Sequence, residues 1–199
     1  MTVTAERFAT GMTYDDFKAA MTRNKDRFEE NERAVEISAE DRVALARLAR
    51  PLKVLVLAED WCGDVIANLP VLGRLAQETG RLDLRVFPRD ANPDLMDMYL
   101  NQGKYRSIPV FAFFDDDFRE IGRFTERPAS VTMRRAAQRR EIYASDDAFG
   151  NPDSPVDQLS PEVREKLTQR LQAGREDLAP FANREVIREI LEIVERAPA

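Results

Sequence analysis

Five consecutive apolar residues, Val54-Leu55-Val56-Leu57-Ala58, run through Glu59-Asp60 into Trp61-Cys62-Gly63-Asp64-Val65. An all-apolar run of this length suits a central strand covered on both faces. From Cys62 the pattern is helical up to about Thr79, with Gly80 as its stop. Cys62, the only cysteine of the chain, therefore stands where a strand turns into a helix. The free N–H groups of a first helical turn and the positive end of the helix dipole both favour a thiolate over a thiol there, which makes Cys62 a candidate nucleophile.

The surrounding pattern predicts a mixed sheet flanked by helices. Thr13 with Asp16 marks a helix start, and Tyr14, Phe17, Met21 and Phe28 share one helical face, giving an amphipathic N-terminal arm. Ser38 with Asp41 begins a second helix carrying Val43, Ala44 and Leu48 and ending before Pro51. Strands are expected at 53–58 and 82–87 around the Cys62 helix, with Asn92 capping a short helix that Pro93 opens. Val110 to Phe114 and Glu120 to Thr125 read as an antiparallel hairpin, and Pro128 starts a helix to about Tyr143. Residues 145–160 have the composition of an exposed connector. Beyond it, one helix is expected from Ser160-Pro161 with Val163, Leu167 and Leu171. Another begins after Asn183, with Val186, Ile187, Ile190, Leu191 and Val194 on one stripe. The expected organisation is a helical arm over 1–50, a core over 51–144, and a connector with C-terminal helices over 145–199, in one domain.

Trp61-Cys62-Gly63 before a helix, with Ser107-Ile108-Pro109-Val110 later in the chain, resembles the two signature loops of the thioredoxin superfamily in their order. Pro70 and the Asp90-Ala91-Asn92-Pro93 stretch fit the same pattern, over roughly residues 53–127. The Glu59 to Asp64, Asn68 to Leu72 and Arg106 to Pro109 segments are similar to a poorly characterised bacterial branch of that family. The resemblance implies a thioredoxin-like α/β fold: a central mixed four-stranded sheet in the order 82–87, 53–58, 110–114, 120–125, flanked by helices, with helical N- and C-terminal extensions. It also implies a cis bond before Pro109 that turns the Ile108 backbone toward Cys62, where an extended substrate can pair with it. Two positions depart from the family. The second cysteine of a dithiol thioredoxin falls at Val65, and its buried acid falls at Val56. With one cysteine, an intramolecular disulfide is impossible.

Attack by Cys62 on a disulfide, resolved by an external thiol such as glutathione, remains open. The local charges disagree about it: Glu59, Asp60 and Asp64 oppose a thiolate, whereas Lys104 and Arg106 would favour one if the Pro109 loop faces Cys62. Gly63, Asp64, Ile108 and Pro109 are candidate substrate contacts. Trp61 suits either a core residue or a wall beside the sulfur. Asp90 reads as a helix cap or a partner of Arg89.

Composition removes other chemistries. The chain has no histidine, so a Ser-His-Asp triad, a Cys-His pair and a histidine zinc site are unavailable. Asp115-Asp116-Asp117 reads as a hairpin turn, no metal site is expected, and no phosphate-cradling glycine motif is present. A net charge of −6 disfavours nucleic acid or an anionic membrane as partner. The basic face formed by Arg134, Arg135, Arg139 and Arg140 reads as solvated surface. A cytoplasmic location is the expectation, since the start lacks the pattern of a signal peptide. Two function classes survive: a monothiol oxidoreductase acting on a protein or small-molecule disulfide, or a redox-inactive peptide- or protein-binding module in which the thiol is incidental.

Overall fold

The computed structural model describes residues 2–153 and 155–197. Four short helices come first: α1 (Ala5–Ala9), α2 (Tyr14–Ala20), α3 (Lys25–Ala34) and α4 (Ala39–Ala46). After them come β1 (Leu52–Ala58), α5 (Gly63–Thr79), β2 (Leu82–Pro88), α6 (Pro93–Met98), β3 (Val110–Phe114), β4 (Glu120–Thr125), α7 (Ala129–Ala144) and α8 (Pro161–Val194). The sheet order is β2-β1-β3-β4. β1 runs parallel to β2 and antiparallel to β3, and β3 is antiparallel to β4. This is the mixed four-stranded sheet expected from the resemblance, with β1 at its centre and Val54 to Ala58 buried.

Residues 1–127 with 186–199 form one compact unit and residues 128–185 another. In the first, the sheet and α5 share a core with the N-terminal helices and with Val186, Ile187, Ile190, Ile193 and Val194. The apolar stripe at the end of α8 is thus buried within that unit. The second has a small core of Tyr143, Phe149 and Leu167.

The arm is tied to α5 and β2 at close range. A Cβ at Gly73 would lie 2.2 Å from Tyr14 Cζ, so only glycine lets α2 approach α5 this nearly. Met12 exchanges both backbone hydrogen bonds with Val86, covering the outer edge of β2. Pro70 lies inside α5, and its missing N–H leaves the Ile66 carbonyl without its helical donor. Asn31 Nδ2 of α3 donates to that oxygen at 2.8 Å.

Several expectations need correction. The face shared by Tyr14, Phe17, Met21 and Phe28 does not belong to one helix, because the chain breaks after Ala20 and Asn24 adopts φ 54°. The N–H groups of Thr22 and Arg23 donate to the Asp60 carboxylate instead of continuing α2. Thr13 and Ser38 do form capping boxes with Asp16 and Asp41. In α4 Val43 is 56% exposed, while Asp41 and Leu45, with Leu48 just after the helix, are buried. Asn92 precedes α6 without capping it: its Nδ2 donates to Pro88 O at 2.7 Å and its Oδ1 accepts from Arg7 at 2.8 Å. The connector is not wholly exposed, because Phe149 is buried against Tyr143. The two C-terminal helices are one, α8, which passes through Pro180. The bridging stretch is rich in helix formers and carries a Gln172–Glu176 side-chain bond at 2.8 Å. Among the described residues no helix is long and apolar enough to cross a membrane.

Candidate active site

The buried β1 strand delivers Cys62 to the N-cap of α5 in extended conformation (φ −85°, ψ 119°), where its carbonyl accepts from Ile66 N at 3.0 Å. Cys62 is a partly exposed residue, and its thiol is unpaired with any other sulfur. Facing it is the loop before β3, in which the Ile108–Pro109 bond is cis. Cys62 Sγ lies 3.5 Å from the Ile108 carbonyl oxygen, to which the thiol donates. The two loops that the sequence paired by resemblance therefore meet.

Trp61 is 42% exposed and lies at the rim, with the Arg89 guanidinium 4.7 Å from its ring centroid. It is not a core residue. A Cβ at Gly63 would meet nothing within 4 Å, so the backbone beside the sulfur is open on that side. Arg89 had no signal in the sequence beyond its pairing with Asp90, yet it joins three loops. It bonds Asp90 through Nε and Nη2 at 2.8 and 2.7 Å, and its Nη1 reaches Arg106 O at 3.3 Å.

The charges that opposed one another in sequence are mostly engaged locally. Glu59 accepts from Asp90 N at 2.8 Å. Arg106 is bound to Asp97 at 2.6 Å and Lys104 lies over the Tyr105 ring. Asp60 accepts from Thr22 N, Arg23 N and Thr22 Oγ1 at 2.7, 2.9 and 3.1 Å, while Asn24 donates to its carbonyl at 2.8 Å. The turn between α2 and α3 thus holds the residue next to Trp61.

Burial by itself would raise the Asp60 carboxyl, but the hydrogen bonds from Thr22 and Arg23 outweigh it and hold the group below the ordinary aspartate range. A carboxyl lowered on folding adds stability above its unfolded value, near about 4, and that stability is lost as pH falls through the folded value. Asp60→Asn is expected to be less stable than the parent at pH 7, with a deficit that narrows below about pH 4. Urea denaturation between pH 7 and 3 measures it, and a deficit independent of pH would contradict the role given to this carboxylate.

On the other side, Asp64 in the first turn of α5 pairs with Arg127. Arg127 also binds Glu126 Oε1 at 2.7 Å. Glu126 (φ 63°) donates its N–H to Pro109 O at 2.7 Å and accepts at its carbonyl from Asn68 Nδ2 of α5 at 2.8 Å. None of Asn68, Glu126 and Arg127 was singled out as a site residue from sequence. Their partners are far away along the chain, and no motif marks them.

A thioredoxin family model matches residues 11–139. No curated protein matches the chain. Among solved structures, a protein of unknown function from Pseudomonas aeruginosa has 19% identity and a TM-score of 0.67, the match covering 100% of both chains. An HIV epitope-scaffold has 21% identity and a TM-score of 0.64 over 98% of each chain. At these identities the two likenesses concern the fold. Cys62 and Pro109 both fall inside the span matched by the family model, and this chain belongs to the thioredoxin family.

Proposed function

We propose that the protein is a monothiol thiol-disulfide oxidoreductase acting through Cys62. The observation that carries this reading is the free thiol of the partly exposed residue Cys62 at the N-cap of α5, 3.5 Å from the Ile108 carbonyl of the cis-Pro109 loop. The thiolate attacks one sulfur of a substrate disulfide, forming a bond between Cys62 and that sulfur and expelling the other as a thiolate. An external thiolate, glutathione for instance, then attacks the substrate sulfur of this mixed disulfide, leaving with the substrate group and returning Cys62 as thiolate. This exchanges one disulfide for another; a second external thiolate, attacking the mixed disulfide of the first with the substrate group, releases that group as a thiolate and completes the two-electron reduction, with the external thiol left as its own disulfide and no cofactor required. Trp61 would flank the sulfur, with Gly63, Asp64, Ile108 and Pro109 lining the approach of an extended protein or small-molecule disulfide.

Val65 stands fully buried where a dithiol enzyme has its second sulfur, and Val56 is fully buried on β1. These two residues favour the second reading, a redox-inactive module that holds an extended peptide against Ile108 and Pro109. Reduction of hydroxyethyl disulfide, measured with and without reduced glutathione, separates the two. The monothiol reading expects turnover that needs the added thiol. Rates equal to those of glutathione alone would leave the binding module.

A further inference from the structure

Asp64 raises a difficulty for any reactive thiol at position 62. A carboxylate in the first turn of α5 disfavours a second negative charge beside it. Arg127 answers it. One terminal nitrogen of its guanidinium, Nη2, binds both Asp64 Oδ2 and Glu126 Oε1. Its Nε is buried with no hydrogen-bond partner, a desolvation cost accepted to place the charge between the two carboxylates. The brace reaches both site loops. Glu126 holds Pro109 O through its N–H, Asn68 of α5 through its carbonyl, and Asn101 Nδ2, itself on Ser107 Oγ, through its carboxylate at 3.4 Å.

We propose that Arg127 is a positioning residue for Cys62, neutralising Asp64 and locking the first turn of α5 to the Pro109 loop through Glu126. This rests on the reading of Cys62 as a reacting thiol and adds to it the group that keeps the site's own carboxylate from suppressing that thiol. The charged residues of the segments flanking Cys62 and Pro109 that the sequence set against one another have partners of their own. Glu59 is on Asp90 N, Asp60 is on the 22–23 turn, Arg89 pairs with Asp90 and Arg106 pairs with Asp97. Lys104 lies over Tyr105. Arg127 meets the first turn of α5 directly, through Asp64.

The test is the rate of Cys62 alkylation by iodoacetamide against pH, in the parent chain and in R127Q, R127K, D64N and the double variant D64N/R127Q. R127Q is expected to move the midpoint up by roughly half a pH unit, slowing alkylation below the midpoint about threefold. R127K, which keeps the charge, should stay near the parent, and the double variant, which removes the carboxylate as well, should return to or below the parent midpoint. An R127Q profile that overlays the parent, or a double variant displaced as far as R127Q, would overturn the proposal. Should R127Q fold poorly, the comparison of D64N with D64N/R127Q still decides. A parent that fails to exchange disulfides while R127Q shifts the alkylation profile would remove the functional reading and leave the brace; turnover with no shift would do the reverse.

Discussion

Cys62→Ser is expected to abolish glutathione-dependent reduction of a small disulfide, reducing it to the rate of glutathione alone, while leaving the folded protein as stable as the parent to within about half a kcal/mol. The activity loss is complete because the chain has no other sulfur able to form a mixed disulfide. The stability is kept because Cys62 is only partly buried and its contact to the Ile108 carbonyl oxygen is a long, weak thiol hydrogen bond of 3.5 Å, so little is lost with the sulfur. Turnover assays beside thermal unfolding of both proteins check the two halves. Residual thiol-dependent activity in the serine variant would place the chemistry outside Cys62.

The second large effect concerns the N-terminal arm. Phe28 of α3 is 0% exposed, and its ring lies 6.0 Å from that of Tyr14 and 6.5 Å from that of Phe17. Truncating such a side chain removes its transfer free energy and leaves a cavity, so Phe28→Ala should cost about 3–5 kcal/mol, a large share of the roughly 5–15 kcal/mol that holds a domain folded. The arm cannot absorb this by fraying alone. Tyr14 OH donates to Glu32 at 2.7 Å, Lys18 pairs with the same carboxylate at 2.6 Å, and Asn31 supplies the donor that Pro70 withholds from the Ile66 carbonyl. Loosening α3 therefore also loosens α5 behind Cys62. Urea denaturation followed at both the tryptophan and the backbone measures it, with one coincident transition moved to lower urea as the expected result. A loss under about 1 kcal/mol would mean that the arm is an appendage.

What could be read in the sequence was what short-range physics decides. The apolar run Val54 to Ala58, the Cys62 turn, Gly80 (φ 62°) and the hairpin strands around Asp115 to Asp117 are local patterns, and the structure places them as expected. The hairpin turn itself is closed by Asp115 Oδ1 accepting from the N–H groups of Asp117 and Arg119 at 2.9 Å each. The meeting of Cys62 with Ile108 was legible through the family resemblance, since nothing in the spacing of 46 residues states it.

What escaped was long-range. The break between α2 and α3 is made by Asp60, which lies 37–38 residues further along the chain and outcompetes the helix for two N–H groups. The Asp64–Arg127 pair spans 63 residues. Trp61 stayed ambiguous because an indole serves a core and a rim equally well, and the Arg89 stack that marks it as rim depends on where β2 ends.

Whether Cys62 is a reacting thiol is decided by the intact mass of the native protein after incubation with oxidised glutathione near neutral pH, beside the urea-unfolded chain as control. A single glutathionyl adduct is expected on the native protein, located at Cys62 and removed by excess reduced thiol. A native protein that stays unmodified while the unfolded chain takes up the adduct would refute a reactive thiol at this position.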